Sequence, residues 1–469
     1  MKKTENRCEK RFACCISDGA MLGYPELAGE RKMIYDPRNF GAVGDGVQND
    51  TAVIQKTLDV CAAGGGGTVR FSKGIFLTGT LKLGGGTTLE VCGDAEIRAS
   101  TDLRDYADDI VGCIEYPPFD RCLIYAEGKR GLRICGEGCI NGRGGPETFP
   151  DSLPGGEKAL RPMLIRFVDC SNIEFEHILL KDAASWCCNI VNGSDIRMRG
   201  VRVDSDRIGN TDGFDFDSCR RVLVESCELK TGDDAICLKS SRPEPCSDFE
   251  IRNCTVSSKT AALKLGTASR SGFRNIRLHD CRFHHCEMGA VKLLCVDGGV
   301  LEDVEISDVV MERVEGPLFI RLGTRNMDLS KQNCMVYYTV PDQTAGLSSP
   351  GGALRRVTIR NIDADCSCAA PDRSGILITG VPGFFIRDVV LENIRVRFPG
   401  GGTEADAACV PAEDPARYPE QFFFGVLPAY GLYARHVDGL HLKNVHFELA
   451  EPDRRPAVLL TDVAGFEED

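Results

Sequence analysis

Between residues 172 and 447 the chain repeats one hydrophobic pattern. A polar residue or glycine comes first, two apolar residues follow at alternate positions, and a second apolar pair follows after a small residue. The units read "NIEFEHILL" (172), "DIRMRGVRV" (195), "RVLVESCEL" (221), "DFEIRNCTV" (248), "NIRLHDCRF" (275), "DVEISDVVM" (303), "RVTIRNIDA" (356), "DVVLENIRV" (388) and "GLHLKNVHF" (439). Alternation at period two sends successive side chains to opposite faces, so each unit is expected to be strand and not helix. From 172 to 303 the units recur every roughly 23–28 residues, in the range of stacked repeat architectures. One unit cannot bury its own apolar face; stacked neighbours can. The expected fold is all-β, a single-stranded right-handed parallel β-helix. The Leu-x-x-Leu-x-Leu spacing of the leucine-rich alternative is absent.

Interruptions of the pattern mark its ends and insertions. Upstream, residues 50–62 carry the one helical stripe: Val53, Ile54, Thr57, Leu58 and Cys61 share a face. This helix is expected to cap the open end of the solenoid. The repeat spacing widens twice, which leaves long loops at 322–353 and 398–430, and a Gly/Pro-rich insertion lies at 141–161. The second loop holds Phe422, Phe423 and Phe424, too apolar for a free linker, so it is expected to pack on the shaft. Residues 1–32 read as an N-terminal tail and 33–469 as one β-helix domain. Asn253, Asn275, Asn361, Asn393 and Asn444 fall near repeat turns and are candidates for stacked turn ladders.

Charge and cysteine content narrow the function classes. A formal net charge of −13 disfavours nucleic acid and anionic membrane surfaces as bulk partners. No run of about 18 apolar residues is present, so no transmembrane helix is expected. The basic start of the N-terminus is interrupted by Arg7, Glu9, Lys10, Arg11 and Asp18 where an export signal would be continuously apolar. The 24 cysteines include no CxxC pair, and many lie inside strand-like runs as small apolar side chains. The expectation is free thiols, no metal site, and a reducing compartment, the cytoplasm.

Strand parity then sorts the charged residues. In "TGDDAICLKS" (231–240), Ile236 and Leu238 point inward, which sends Asp233, Cys237 and Lys239 outward. The same count sends Asp215 and Asp217 out beside inward Phe214 and Phe216, and sends Lys264, Lys292 and Arg321 out on later rungs. A carboxylate cluster of Asp212, Asp215, Asp233 and Asp234 would lie beside a basic stripe of Lys239, Lys264, Lys292 and Arg321, a groove for an anionic ligand. Asp212 and Asp234 have inward parity, so the chain must bend before each strand; Gly213 and Gly232 would permit it.

Neighbouring carboxylates can divide acid and base roles, because close like charges raise at least one pKa. Glycosidic hydrolysis needs one acid for the leaving oxygen and one carboxylate for water. "NTDGFDFDS" (210–218) and "TGDDAICLKS" resemble the two aspartate motifs of glycoside hydrolase family 28, the polygalacturonase family, among the pectin-lyase-like β-helices. "FGAVGDGVQNDTAVIQKTLD" (40–59) is similar to the N-terminal segment of bacterial members. The resemblance implies an inverting hydrolase that needs no metal or other cofactor. In it Asp233 is the general acid, Asp212 and Asp234 hold the attacking water, and Lys292 is a substrate-binding lysine; Asn210, Lys264 and Arg321 are further candidates to bind substrate.

Two family motifs are altered. The Gly-His-Gly motif should fall at Thr260, Ala261 and Ala262, so the His is absent; Arg-x-Lys should fall at Ala290–Lys292, so only the Lys is kept. These changes disfavour plain polygalacturonan and leave a different pectic or other acidic oligosaccharide, with Lys264 and Arg321 as substitute holders of its carboxylate. Exo-action is expected, with the long loops closing one end of the groove. The alternatives are a lyase or epimerase on the same fold, and a non-catalytic glycan-binding β-helix.

Overall fold

In the computed structural model, residues 33–113, 119–153, 159–325 and 352–469 are described. The chain winds as a parallel β-helix with three short strands per coil. Phe214–Asp217, Arg220–Glu225 and Glu228–Thr231 are followed by Ile236–Ser240, Cys246–Arg252 and Thr255–Ser258, and each strand pairs in parallel with its counterpart one coil on. From Gly272 the second and third strands run on as one, Gly272–Cys286. Every inward residue of the parity count is buried: Phe214, Phe216, Ile236, Leu238, Leu263, Leu265, Val291, Leu293, Ile320 and Leu322 are each at most 2 % exposed. Burying each such side chain contributes about 1.5–3 kcal/mol.

The polar residue that opens each repeat now has a reason. Arg221, Asp248, Asn275, Asp303, Arg356 and Asp388 all sit at φ between 54° and 60°, the left-handed region, where the coil turns. Asn and Asp tolerate that region better than most side chains. The five turn asparagines divide between two columns. Asn361, Asn393 and Asn444 form a ladder, with Asn444 donating to Asn393 (2.8 Å), Asn393 to Asn361 (3.1 Å), and Asn361 to Asp308 (2.9 Å). Asn275 belongs to the other turn and donates to Asp248.

The helix spans Thr51–Ala63, and Ile54, Thr57, Leu58 and Cys61 are its buried face. It packs on strands Gly67–Phe71, Leu81–Lys82 and Thr87–Val91, covering the first coils as expected of a cap. All 20 described cysteines are free, and most are buried. No helix among the described residues is long and apolar enough to cross a membrane. Of the two long loops, most of 322–353 lies outside the described residues, as do 154–158 of the 141–161 insertion. The 398–430 segment lies on the shaft, with Phe424 buried against Leu294, Phe319, Leu377, Leu427, Ala429 and Tyr433.

Candidate active site

Asp212 and Asp234 each stand two residues ahead of a strand, Phe214–Asp217 and Ile236–Ser240, whose Phe214 and Ile236 are register partners. The bends that free them from inward parity pass through Gly213 and Gly232, but not for the reason parity suggested. Neither glycine has positive φ. A Cβ on Gly213 would lie 2.4 Å from the Ala235 carbonyl oxygen, and one on Gly232 would lie 2.1 Å from that of Ile208. The coils approach too closely there for any side chain.

Asp233 is pinned through its own carbonyl, which accepts from Thr231 Oγ1 (2.5 Å) and Ser258 Oγ (2.7 Å). Its carboxylate accepts from the Asp234 backbone N–H (2.9 Å), from Thr260 Oγ1 (3.2 Å) and from Asn210 Nδ2 (3.4 Å). Asn210 is turned that way because the buried Arg161 donates to its Oδ1 at 2.7 Å. Asp234 accepts from Thr260 Oγ1 at 2.9 Å and from Lys264 Nζ at 2.8 Å. Thr260, at the first position of the altered Gly-His-Gly motif, thus places one hydroxyl within hydrogen-bond reach of both adjacent carboxylates. Asp212, Asp234 and Cys237 each place a ligand atom within 4.8 Å of the others. Asp212 Oδ1 is buried with no hydrogen-bond partner, and its Oδ2 lies 3.9 Å from Lys239 Nζ.

This arrangement pushes the three proton affinities apart. Burial, then the Asp234 charge, raises Asp233 above the usual carboxylate value. Burial also pushes Asp234 up, but Lys264, Lys292 and the hydrogen bond from Lys264 outweigh it and hold Asp234 at about 2. Burial, then Asp215 and Asp233, raises Asp212 well above its ordinary range. Asp234 is thus held charged while Asp233 binds its proton more tightly than an ordinary carboxyl, the division that acid–base chemistry needs.

The basic stripe is not one line. Lys264 and Lys292 are register partners, in the column of Asp215 and Cys237. Lys239 stands two residues further along its strand, level with Asp217. Its ammonium is 3.3 Å from Asp215 and 4.4 Å from the ring centre of Trp186, the chain's single tryptophan. Lys264 and Lys292 are buried on the protein's own carboxylates. Lys292 Nζ meets Glu420 Oε2 at 2.5 Å, and Lys264 meets Asp234 and, at 3.8 Å, Glu420 Oε1. Arg321 leaves the site altogether. Its register partners are Leu294 and Thr379, and it donates to Thr379 Oγ1, Gly380 O, Glu413 O and Asp414 O at 2.8–3.1 Å. The expectation that Arg321 holds a ligand carboxylate is therefore corrected: it straps the 398–430 segment to the shaft. The expected anionic-ligand stripe is likewise corrected, because Glu420 already occupies its centre.

Parity could not have found Glu420, Tyr418 or Arg161, since all three lie in insertions outside the repeats. The only signal for the first two was the apolar run at 422–424, which predicts docking without saying where.

The family model described as glycosyl hydrolases family 28 matches residues 68–340. That match covers more than half of the chain, and the chain belongs to the family. It is 27% identical over 302 residues to a probable polygalacturonase of Vitis vinifera, covering 59% of this chain and 60% of the relative. The match thus spans less than two thirds of that relative's length. Among solved structures, it resembles a hyperthermoactive exopolygalacturonase from Thermotoga maritima (TM-score 0.66, 21% identity, 78% of this chain and 87% of the other). It also resembles a family 28 exopolygalacturonase from Yersinia enterocolitica (TM-score 0.68, 17% identity, 93% of this chain and 78% of the other). At these identities the two structures speak for the fold.

Proposed function

We propose that the protein is an inverting glycoside hydrolase acting on pectic or other uronate-containing oligosaccharides. The observation that carries this reading is the set of three aspartates, Asp212 and Asp234 buried and Asp233 half-buried, brought together on adjacent coils. Asp233, raised and reached by Thr260 and Asn210, donates its proton to the leaving glycosidic oxygen. Asp212 and Asp234 hold the attacking water, Asp234 as the member that Lys264 keeps charged and Asp212 through Oδ1, which has no hydrogen-bond partner. As the bond breaks, Asp233 becomes the carboxylate and the water proton passes to the Asp212–Asp234 pair. No residue here needs to be consumed, and the sugar's configuration inverts. Exo-action is supported by the 398–430 segment, which covers the outer sheet face from Lys292 onward.

Incubation with a panel of pectic oligosaccharides tests the reading. A saturated reducing sugar released with inverted anomeric configuration is expected. An unsaturated, ultraviolet-absorbing end would make it a lyase, and tight binding without products would make it a glycan-binding protein. The buried free thiols also support a reducing, cytoplasmic setting. Denatured, unreduced protein should then titrate with nearly all of its 24 thiols.

A further inference from the structure

Glu420 changes what the site can accept. It is 3 % exposed, and it enters from the 398–430 segment to meet two ammoniums that are themselves 5 % (Lys264) and 1 % (Lys292) exposed. Its neighbours hold it there. Gln421 donates to the carbonyls of Ser374 and Gly375, both at 3.2 Å, and Phe424 is buried in the outer apolar cluster. Tyr418, two residues earlier, brings its hydroxyl to 3.4 Å from Lys264 Nζ. Two carboxylates, Asp234 and Glu420, therefore face two ammoniums, and the local charge is balanced before any ligand arrives. A third carboxylate, from a uronate ring, would have to displace Glu420 or enter as an unmatched like charge. An unmatched charge built against one ligand is a means of rejecting it.

We propose that Glu420 is a specificity-determining residue. The sugar unit seated against Lys264 and Lys292 is neutral, so the substrate is a chain in which a uronate alternates with, or ends on, an uncharged sugar. This inference rests on the glycoside hydrolase reading above and narrows its substrate.

The test compares an oligogalacturonide with the same chain after its carboxylates are reduced to primary alcohols. Calorimetric affinities are measured on Asp233→Asn protein, so that no turnover intervenes, and kcat/KM on protein with Asp233 intact. In each background Glu420→Gln is expected to improve the uronide relative to the reduced chain by at least about tenfold, because it removes the competing charge. The double variant Glu420→Gln/Lys292→Gln keeps the charge balance without leaving a buried ammonium alone, and its preference should match that of protein with both residues intact. An unchanged preference in Glu420→Gln, a gain in the double variant, or no binding of either chain overturns the inference. A shift in binding preference with no hydrolysis by the otherwise unaltered protein would leave the inference standing and overturn the hydrolase reading instead.

Discussion

Two stretches of the same outer sheet face use the same residue types to opposite ends. At Asp212, Asp233 and Asp234 the outward charges are held against one another in a largely buried cluster, with one oxygen, Asp212 Oδ1, left without a hydrogen bond. Further along, Arg321 and Arg435 also point outward, but the 398–430 segment lies over them. Arg435 donates to the carbonyls of Pro411 and Ala412, and Arg321 to those of Glu413 and Asp414. Between the two arginines Thr379 accepts from both. Around them Leu294, Phe319, Leu377 and Tyr433 close an apolar layer with Phe424. An outward charge is chemistry where the chain leaves its partners incomplete, and scaffold where backbone carbonyls complete them.

The sharpest test of that contrast replaces Asp233. Asp233→Asn should cut hydrolysis of a poor leaving group by about 10²–10⁴-fold, the usual worth of general acid catalysis. The loss should be smaller on an activated aryl glycoside, whose leaving group needs little protonation, and Asp215→Asn should be milder on both. Equal losses for both variants on both substrates would misplace the acid.

The covered region should answer in stability. Arg321→Met removes a donor from four acceptors, two buried (Thr379 Oγ1 and Gly380 O) and two partly buried (Glu413 O and Asp414 O), and a buried acceptor left unsatisfied costs about 1–3 kcal/mol. The melting temperature should fall clearly, while turnover of a small aryl glycoside by the folded protein changes little. A large loss of turnover with unchanged melting would return Arg321 to the site.

Asp212→Asn should separate the two properties in one residue. A buried acid whose folded pKa is raised stabilises the fold fully below its ordinary value of 3.8, and that contribution is lost as pH rises through the folded value. Burial penalises the charged form of Asp212, and the amide removes that penalty because it cannot take the charge. Stability at pH 7 should therefore rise, by of order 1 kcal/mol, with a higher melting temperature, while hydrolysis falls. A lower melting temperature at pH 7 would refute the electrostatic account.

The pH profile offers the smallest effect. Asp234 is depressed, so its stabilising contribution is complete above 3.8 and is lost only as pH falls through about 2. Activity should survive to unusually acid pH for this reason, and should decline on the alkaline side as the raised Asp233 loses its proton. Lys264→Met, which removes the charge holding Asp234 down, should move the acid limb upward. An acid limb that stays in place would mean that Lys264 does not hold Asp234 charged.

Much of this was legible in the chain itself. Period-two alternation needs only nearest neighbours to decide which side chains face inward, so the strands, their stacking and the outward placement of Asp233, Lys239, Lys264 and Lys292 followed from the repeat. The pairing of "NTDG" with "TGDD" followed too, because coils of similar length bring equivalent positions side by side. What local pattern could not carry was the partner of each outward charge. Glu420 reaches Lys292 across 128 residues of sequence, Arg321 finds carbonyls 92 and 93 residues away, and Arg161 orients Asn210 from an insertion with no repeat. Where an insertion lands depends on which apolar surface it can bury, here Phe424 on the outer layer. That is a property of the assembled face, and only tertiary structure decides it.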